Sequence, residues 1–377
     1  MQYSLPLYLI SLFVFLISIF VAKPQITYWN PQRNNVRKGI TAFFLLLMIN
    51  SVFAFWEYDT YHSWWGFMEA NQYLHFEIWS YEEVYNWLAT AVGNNYFLWR
   101  ACIWIPACLF MYWTAKRLEL LNRNFLVVML LFGSFLSYTS GMLGHTMLVL
   151  GAVLFLDKKS GNLMKIFGLA LVCVSYFFHK SMYVNIIFAV LALFPFGKKT
   201  VTISLIAFPF LTTVVTYLVD GISSGQIEMT LGGGVGGVGD RTTLGYVSGE
   251  RSVSNVFGVI SKFIRFTPQY LTLLYLYNEV VIKRIFKGKE KENLWKYLFK
   301  LTYTAFYIAS LFYFVETSSW IYERFKYMGF FPMVFVLGAV WSGKKRFGKL
   351  EKIIILLQAF SILFMLIMRA KNWYEMM

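Results

Sequence analysis

The sequence is poor in charge. Asp, Glu, Lys and Arg make up 14% of its 377 residues, against about 25% in a typical soluble domain. Cysteine is nearly missing too: Cys102, Cys108 and Cys173 are the three present. All lie in apolar runs, where a free thiol packs as a small hydrophobe. No disulfide framework or metal-ligand spacing is present. The four histidines, His62, His75, His145 and His179, form no cluster with cysteine or carboxylate at a recognisable metal spacing, so neither metal nor cofactor is expected. Internal repeats of about 20–50 residues are missing. So is the similarity between two halves that many secondary transporters carry.

What is abundant is hydrophobic sequence. It accounts for 58% of residues, with a mean hydropathy of +0.55. Apolar runs recur at lengths of about 18–22 residues, enough to cross a bilayer. The expected fold is all-α: a polytopic membrane protein forming a single integral membrane domain over 1–377. Spans are expected near 4–22, 38–56, 96–115, 125–140, 142–157, 163–179, 181–197, 200–219, 256–283, 297–317, 324–342 and 352–369. That is about 12 transmembrane helices. The first run, Leu5 to Ala22, is too long for a signal-peptide core and no small-residue cleavage site follows it, so it is expected to be retained as a span.

The connections sort by sign. Most of the 34 basic residues occupy alternate connections. The first groups are Lys23, Arg33, Arg37 and Lys38; Lys116, Arg117 and Arg123; Lys158, Lys159 and Lys165; and Lys198 with Lys199. Two richer ones run from Lys283 to Lys300 and from Lys344 to Lys352. The positive-inside rule makes these the cytoplasmic side, which puts both termini outside. The net charge of +15 is therefore a topology signal, and no nucleic-acid partner is expected.

Two larger outer loops are expected, at 57–95 and 220–255. The first holds Glu57, Asp59, Glu69, Glu77, Glu82 and Glu83 with no Lys or Arg, and is rich in Trp and Tyr as an interfacial segment is. Within it, 79–92 has helical apolar spacing suited to lying along the surface. The second contains LGGGVGGVGDR. Gly234, Gly236 and Gly239 spell the dinucleotide fingerprint, but no strand precedes it and no helix begins there. A loop able to order over a ligand is expected instead.

Some cations break the sign rule: Arg100, Lys180, Arg241, Arg251, Lys262, Arg265, Arg324, Lys326, Arg369 and Lys371. Arg369 and Lys371 end the last run and can snorkel. Arg265 lies about ten residues into its span, roughly 15 Å deep at 1.5 Å per residue. An arginine there costs about 2.5–3.5 kcal/mol on insertion scales and faces the bundle interior or water. Lys262 shares its helix face, and Pro268 just beyond is expected to break the helix. Neighbouring acids offer a structural role to some of these cations: Glu323 beside Arg324, Glu250 beside Arg251, Asp240 beside Arg241. No acid lies near Arg265 in sequence. Several cations in the outer half suggest an anionic ligand, and guanidinium matches phosphate oxygens. His145, on the fifth run, suits an interhelical hydrogen bond. His179, beside Lys180 at a span edge, is a candidate substrate contact.

Four short stretches, in order, carry a resemblance: EYDTYHSWW after the second run, NNYFLWRACIW opening the third, SYFFHKSMYV closing the sixth, and YERFKYMGFF opening the eleventh. The chain resembles Wzy-type bacterial polysaccharide polymerases, in particular the EpsG-like branch. It departs from them where Trp-Glu-Tyr replaces a glycine before Asp59, and where Gly144 and His145 stand in place of an Arg-Gln pair. The resemblance implies an enzyme in the bacterial cytoplasmic membrane with an outward-facing site. Its partners would be lipid-linked oligosaccharide donor and acceptor, the bilayer, and a chain-length regulator or other polysaccharide-assembly proteins. Repeat units on undecaprenyl pyrophosphate would be joined without metal or nucleotide sugar, as for an exopolysaccharide, capsule or O-antigen. Arg265, Arg241, Arg251 and Arg324, with Lys180 and Lys262, would serve the pyrophosphate. Arg100 would line the cavity, Glu323 would flank it, and His145 would stand partly in for the missing arginine. His179 would be the base; Glu57 and Asp59 would either share that role or hold an arginine in place. A ligase or a glycosyltransferase using a polyprenyl-phosphate sugar would draw on the same cations. An exporter would need polar groups through both halves of the membrane.

Overall fold

The computed structural model describes residues 38–42, 44–45, 48–49, 52, 83–93, 95–132, 142–178, 182–223, 256–312, 319–342, 344 and 346–376, all of them helical or in short connections. The first expected span and most of both outer loops lie outside these residues. The helices beyond residue 82 are α1 (Glu83–Ala91), α2 (Tyr96–Arg117), α3 (Arg123–Phe132), α4 (Met142–Leu156), α5 (Asn162–Ser175) and α6 (Met182–Leu191). They continue as α7 (Lys198–Ser223), α8 (Val256–Tyr277), α9 (Glu292–Leu311), α10 (Ser319–Ser342) and α11 (Lys349–Met376). The chain is thus a helical protein. Three stretches are long and apolar enough to cross a membrane: Tyr96–Arg117, Lys198–Val219 and Phe325–Ser342.

Helix α10 is the hub. Its membrane-length stretch is 78% buried, and Phe330, Phe331, Val334, Phe335, Leu337 and Trp341 are almost wholly enclosed. It packs on α9, α3, α4 and α8. Helix α7 is the opposite case. It is 6% buried and turns Ile203, Ile206, Phe210 and Tyr217 outward, as a lipid-facing helix does. Two polar ties hold it to α9: Ser204 Oγ lies 2.7 Å from Tyr303 Oη, and Tyr307 donates to the Ser204 carbonyl at 2.6 Å.

Helices α4 and α5 approach through glycine. A Cβ on Gly151 would sit 2.5 Å from the Gly168 carbonyl oxygen, and one on Gly168 2.7 Å from that of Gly151. Only two glycines let the backbones come this close, the small-residue packing that stands in for hydrophobic drive in a bilayer.

The described basic connections converge on one end of the bundle. Arg117 pairs with Asp157 at 2.8 Å and donates to Ser160. Lys291 reaches Glu119 at 2.7 Å and the Arg117 carbonyl at 3.0 Å. Lys159 pairs with Glu290 at 3.0 Å. Asn122 donates to Ser342, and Asn124 to the Lys344 carbonyl. Lys300 caps the Phe194 carbonyl. These contacts gather the loops that the sign rule groups together.

Helix α8 corrects one expectation. Pro268 does not break it; the helix runs through from Val256 to Tyr277. A proline removes one backbone donor, and threonine hydroxyls beside it add bonds back to the helix: Thr267 to the Phe263 carbonyl and Thr272 to the Pro268 carbonyl, both at 2.7 Å. The irregularity falls ten residues later, where Asn278–Ile282 forms a π-turn closed by the Lys283 N–H on the Asn278 carbonyl.

Candidate functional site

The end opposite the basic loops holds buried cations. Arg100 lies one turn into α2, 17 residues before Arg117 and so about 25 Å from the basic end. It is 2% exposed. Asn95 caps the helix, its side-chain oxygen accepting from the Leu98 N–H at 2.9 Å, and the first turn is aromatic. Arg100 Nη1 donates to Tyr96 Oη at 3.1 Å. Its guanidinium carbon lies 5.3 Å from the Trp104 ring centre and 5.8 Å from that of Tyr96. The enclosing aromatic faces hold the charge by cation–π attraction.

Lys326 is the second buried cation, 3% exposed on α10. Its ammonium sits 3.5 Å from the centre of the Phe266 ring on α8 and 5.3 Å from that of Tyr327. Phe266 directly follows Arg265, and Lys326 stands two residues after Arg324. The Lys326–Phe266 contact therefore brings the helix segments carrying Arg265 and Arg324 together. Lys326 was not expected among the site residues. The signal is present in the sequence, since Lys326 is one of the cations that break the sign rule.

His145 on α4 joins three helices. Its Nε2 lies 3.3 Å from Asn185 Nδ2 on α6, and its ring stacks on Phe331 of α10 at 5.2 Å and 11°. The direction of that hydrogen bond follows the imidazole tautomer. Gly144 beside it packs against Met182 and the Ser175 carbonyl. His145 is 3% exposed.

The remaining expected site residues divide in two. Lys262 and Arg265 lie on the α8 backbone and Glu323 and Arg324 on the α10 backbone. Glu57, Asp59, His179, Lys180, Arg241 and Arg251 lie outside the described residues. Helix α2, with Arg100, packs on α4, which in turn packs on α10. Arg100 thus belongs to one station, and the α8–α10 cations to another across α4. Among the described residues, no three His, Cys, Asp or Glu side chains come together as a metal site.

Chemically, each station can draw an anion by itself. A buried guanidinium or ammonium bordered by aromatic faces suits an oxyanion with an apolar or ring-shaped neighbour. Comparison with family models, with curated proteins and with solved structures found no match to this chain.

Proposed function

We propose that this chain is a metal-independent membrane glycosyltransferase that joins lipid-pyrophosphate-linked oligosaccharide repeat units into a polymer. The basic end faces the cytoplasm in this reading, and the reaction takes place at the opposite, outer end. The observation that carries it is the pair of cations, Arg100 and Lys326, buried at 2% and 3% far from the basic loops. A buried charge inside a helical membrane bundle marks a ligand or ion site by default.

The reaction transfers the growing chain from its lipid carrier to an incoming unit. The acceptor hydroxyl oxygen forms a bond to the anomeric carbon. The bond from that carbon to the pyrophosphate oxygen breaks, and its electron pair leaves with the lipid pyrophosphate. The hydroxyl proton passes to His179. Arg265, Arg241, Arg251 and Arg324 receive the growing negative charge, which stabilises the transition state more than the ground state. Asp59 holds an arginine, Arg100 or Arg324, in the orientation this needs. Glu57 flanks it.

The test is reconstitution of the purified protein with lipid-linked repeat units. A ladder of repeat lengths is expected, falling by about a hundredfold in Arg265→Ala and Arg324→Ala protein of normal abundance. A single ligated species would reassign the chain to a ligase, and undiminished ladders from both variants would remove the mechanism. One observation favours a second reading, an exporter: polar side chains are also buried beyond mid-span, at Thr272, Glu279 and Gln358. Movement of lipid-linked substrate across vesicles without chain extension would select it.

A further inference from the structure

The buried faces of α8 and α11 carry polar side chains at depths where a membrane helix pair is normally apolar. Helix α8 buries Gln269 and Thr272 at 3% and 0% exposure, and the π-turn beyond it buries Glu279 at 5%. Lys262 and Arg265 precede Gln269 at the same three- and four-residue spacing, so these four α8 positions fall on one stripe. Helix α11 buries Glu351, Ile354, Gln358 and Ser361, of which only Ile354 is apolar.

The two helices run antiparallel and are tied at the basic end. Tyr275 donates to Glu351 Oε1 at 3.0 Å, and Lys344 reaches the same oxygen. From that tie, at 1.5 Å per residue, Gln269 stands about 9 Å along α8 and Gln358 about 10 Å along α11, so the two are level. Ser361 stands about 15 Å along, level with Arg265.

Three polar atoms on this seam are buried without a hydrogen-bond partner among the described residues: Gln269 Oε1, Gln358 Oε1 and Ser361 Oγ. Gln358 spends its N–H on the Leu131 carbonyl of α3, leaving its oxygen over. One stranded polar atom could be strain. Three on two packed helices, two of them level and the third about one turn further along, are the partners that bound water requires.

We infer that α8 and α11 enclose a water-filled seam, closed at the basic end by Tyr275, Glu351 and Lys344 and open towards the opposite end. Water there hydrogen-bonds Gln269, Gln358 and Ser361 and reaches the level of Arg265. The inference rests on the chain's being a membrane protein and not on the sugar chemistry.

The experiment uses the full chain with Cys102, Cys108 and Cys173 replaced, in sealed vesicles. Single cysteines at Gln269, Gln358 and Ser361 are exposed to a membrane-impermeant methanethiosulfonate ammonium reagent. That reagent attacks thiolate, which forms only where water reaches. Cysteines at Leu274 and Leu363, 63% and 55% exposed towards lipid, and at Leu276, fully buried among apolar neighbours, are the controls. The expected result is modification at 269, 358 and 361 at least about tenfold faster than at the controls, from the end opposite the basic loops. Rates equal to the controls, or reaction only from the basic end, would overturn the seam. Ser361→Ala provides a measurement without cysteine. A hydrated hydroxyl predicts a thermal midpoint unchanged or lowered; a raised midpoint means the hydroxyl was dry and stranded, and the inference fails. Neither readout needs substrate, so a polymerase that proves to be something else leaves this result standing.

Discussion

The two ends of the bundle enclose their cations to different degrees. At the basic end, lysine and arginine meet carboxylates: Arg117 with Asp157, Lys159 with Glu290, Lys291 with Glu119, Lys283 with Glu279, Lys296 with Glu292 and Lys344 with Glu351. Those basic side chains keep between 13% and 56% of their surface exposed. At the opposite end, Arg100 and Lys326 are 2% and 3% exposed and border aromatic rings. A charge that reaches solvent keeps much of its hydration. A charge enclosed in a membrane bundle gives that up, and such charges gather at functional sites. The first arrangement suits loops that must stay on one side of a membrane, and the second suits a binding site. The comparison makes a sharp demand. Substitutions at the basic end should cost stability without touching turnover, and those at the opposite end should do the reverse.

The largest expected effect tests the structural half. Asp157 is 4% exposed and receives both the Arg117 guanidinium and the Lys159 backbone N–H. Removing one partner of a buried pair costs about 3–5 kcal/mol. Arg117 keeps 29% of its side chain in contact with solvent, so its charge can partly rehydrate and about 2–3 kcal/mol is expected for Asp157→Ala. The thermal midpoint in detergent should fall by several degrees. Product formed per folded molecule should not change; a loss there with stability intact would erase the distinction between the two ends.

Lys326→Met tests the other half. Methionine fills the space and leaves the Phe266 face without its cation. We expect ladder formation to fall by about ten- to a hundredfold, the range of roughly 1.4–2.7 kcal/mol, with abundance and thermal midpoint close to the parent. Lys326→Arg should recover part of the activity, since it restores charge over the ring. Should Lys326→Met unfold the protein while the arginine variant restores only stability, the cation belongs to the fold and not to a site.

How much of this was legible beforehand follows the physics of each signal. Helices α7 and α10 are long unbroken apolar runs, and such runs declare themselves. The gathering of the described basic loops at one end also showed, because it depends on where cations fall in sequence and not on packing. The short helix in 79–92 showed through its periodicity and is found at Glu83–Ala91. The continuity of α8 through Pro268 was not legible, since a proline inside an apolar run reads the same whether packing carries the helix through or lets it break. Neither was the π-turn at Asn278–Ile282, which no residue type announces. Burial of Gln358 and Ser361 was hidden for a different reason: a lone glutamine or serine in an apolar run reads the same whether it faces lipid or a neighbouring helix. Lys326 could have been found, because a second cation two residues from Arg324 cannot share its helix face and needs a surrounding of its own.

The smallest effect sets the floor of the comparison. Lys159 and Glu290 are 55% and 59% exposed, and their pair spans two loops at the basic end. The Glu290 carboxylate, by hydrogen bond and by charge, raises the Lys159 pKa above the usual lysine value. A raised pKa means stability present below the unfolded value, about 10.4, and lost as pH rises through the folded one. The window is therefore alkaline, and the pair contributes at full strength throughout the neutral range. Solvent screens an exposed pair heavily, and salt screens it further. Lys159→Ala should accordingly leave both thermal midpoint and turnover within scatter at neutral pH, and high salt should not separate variant from parent. A clear loss of turnover here would be the most damaging result of all. It would mean that a solvated ion pair at the basic end speaks to the chemistry, and that the division of labour between solvent-reaching and enclosed cations does not hold.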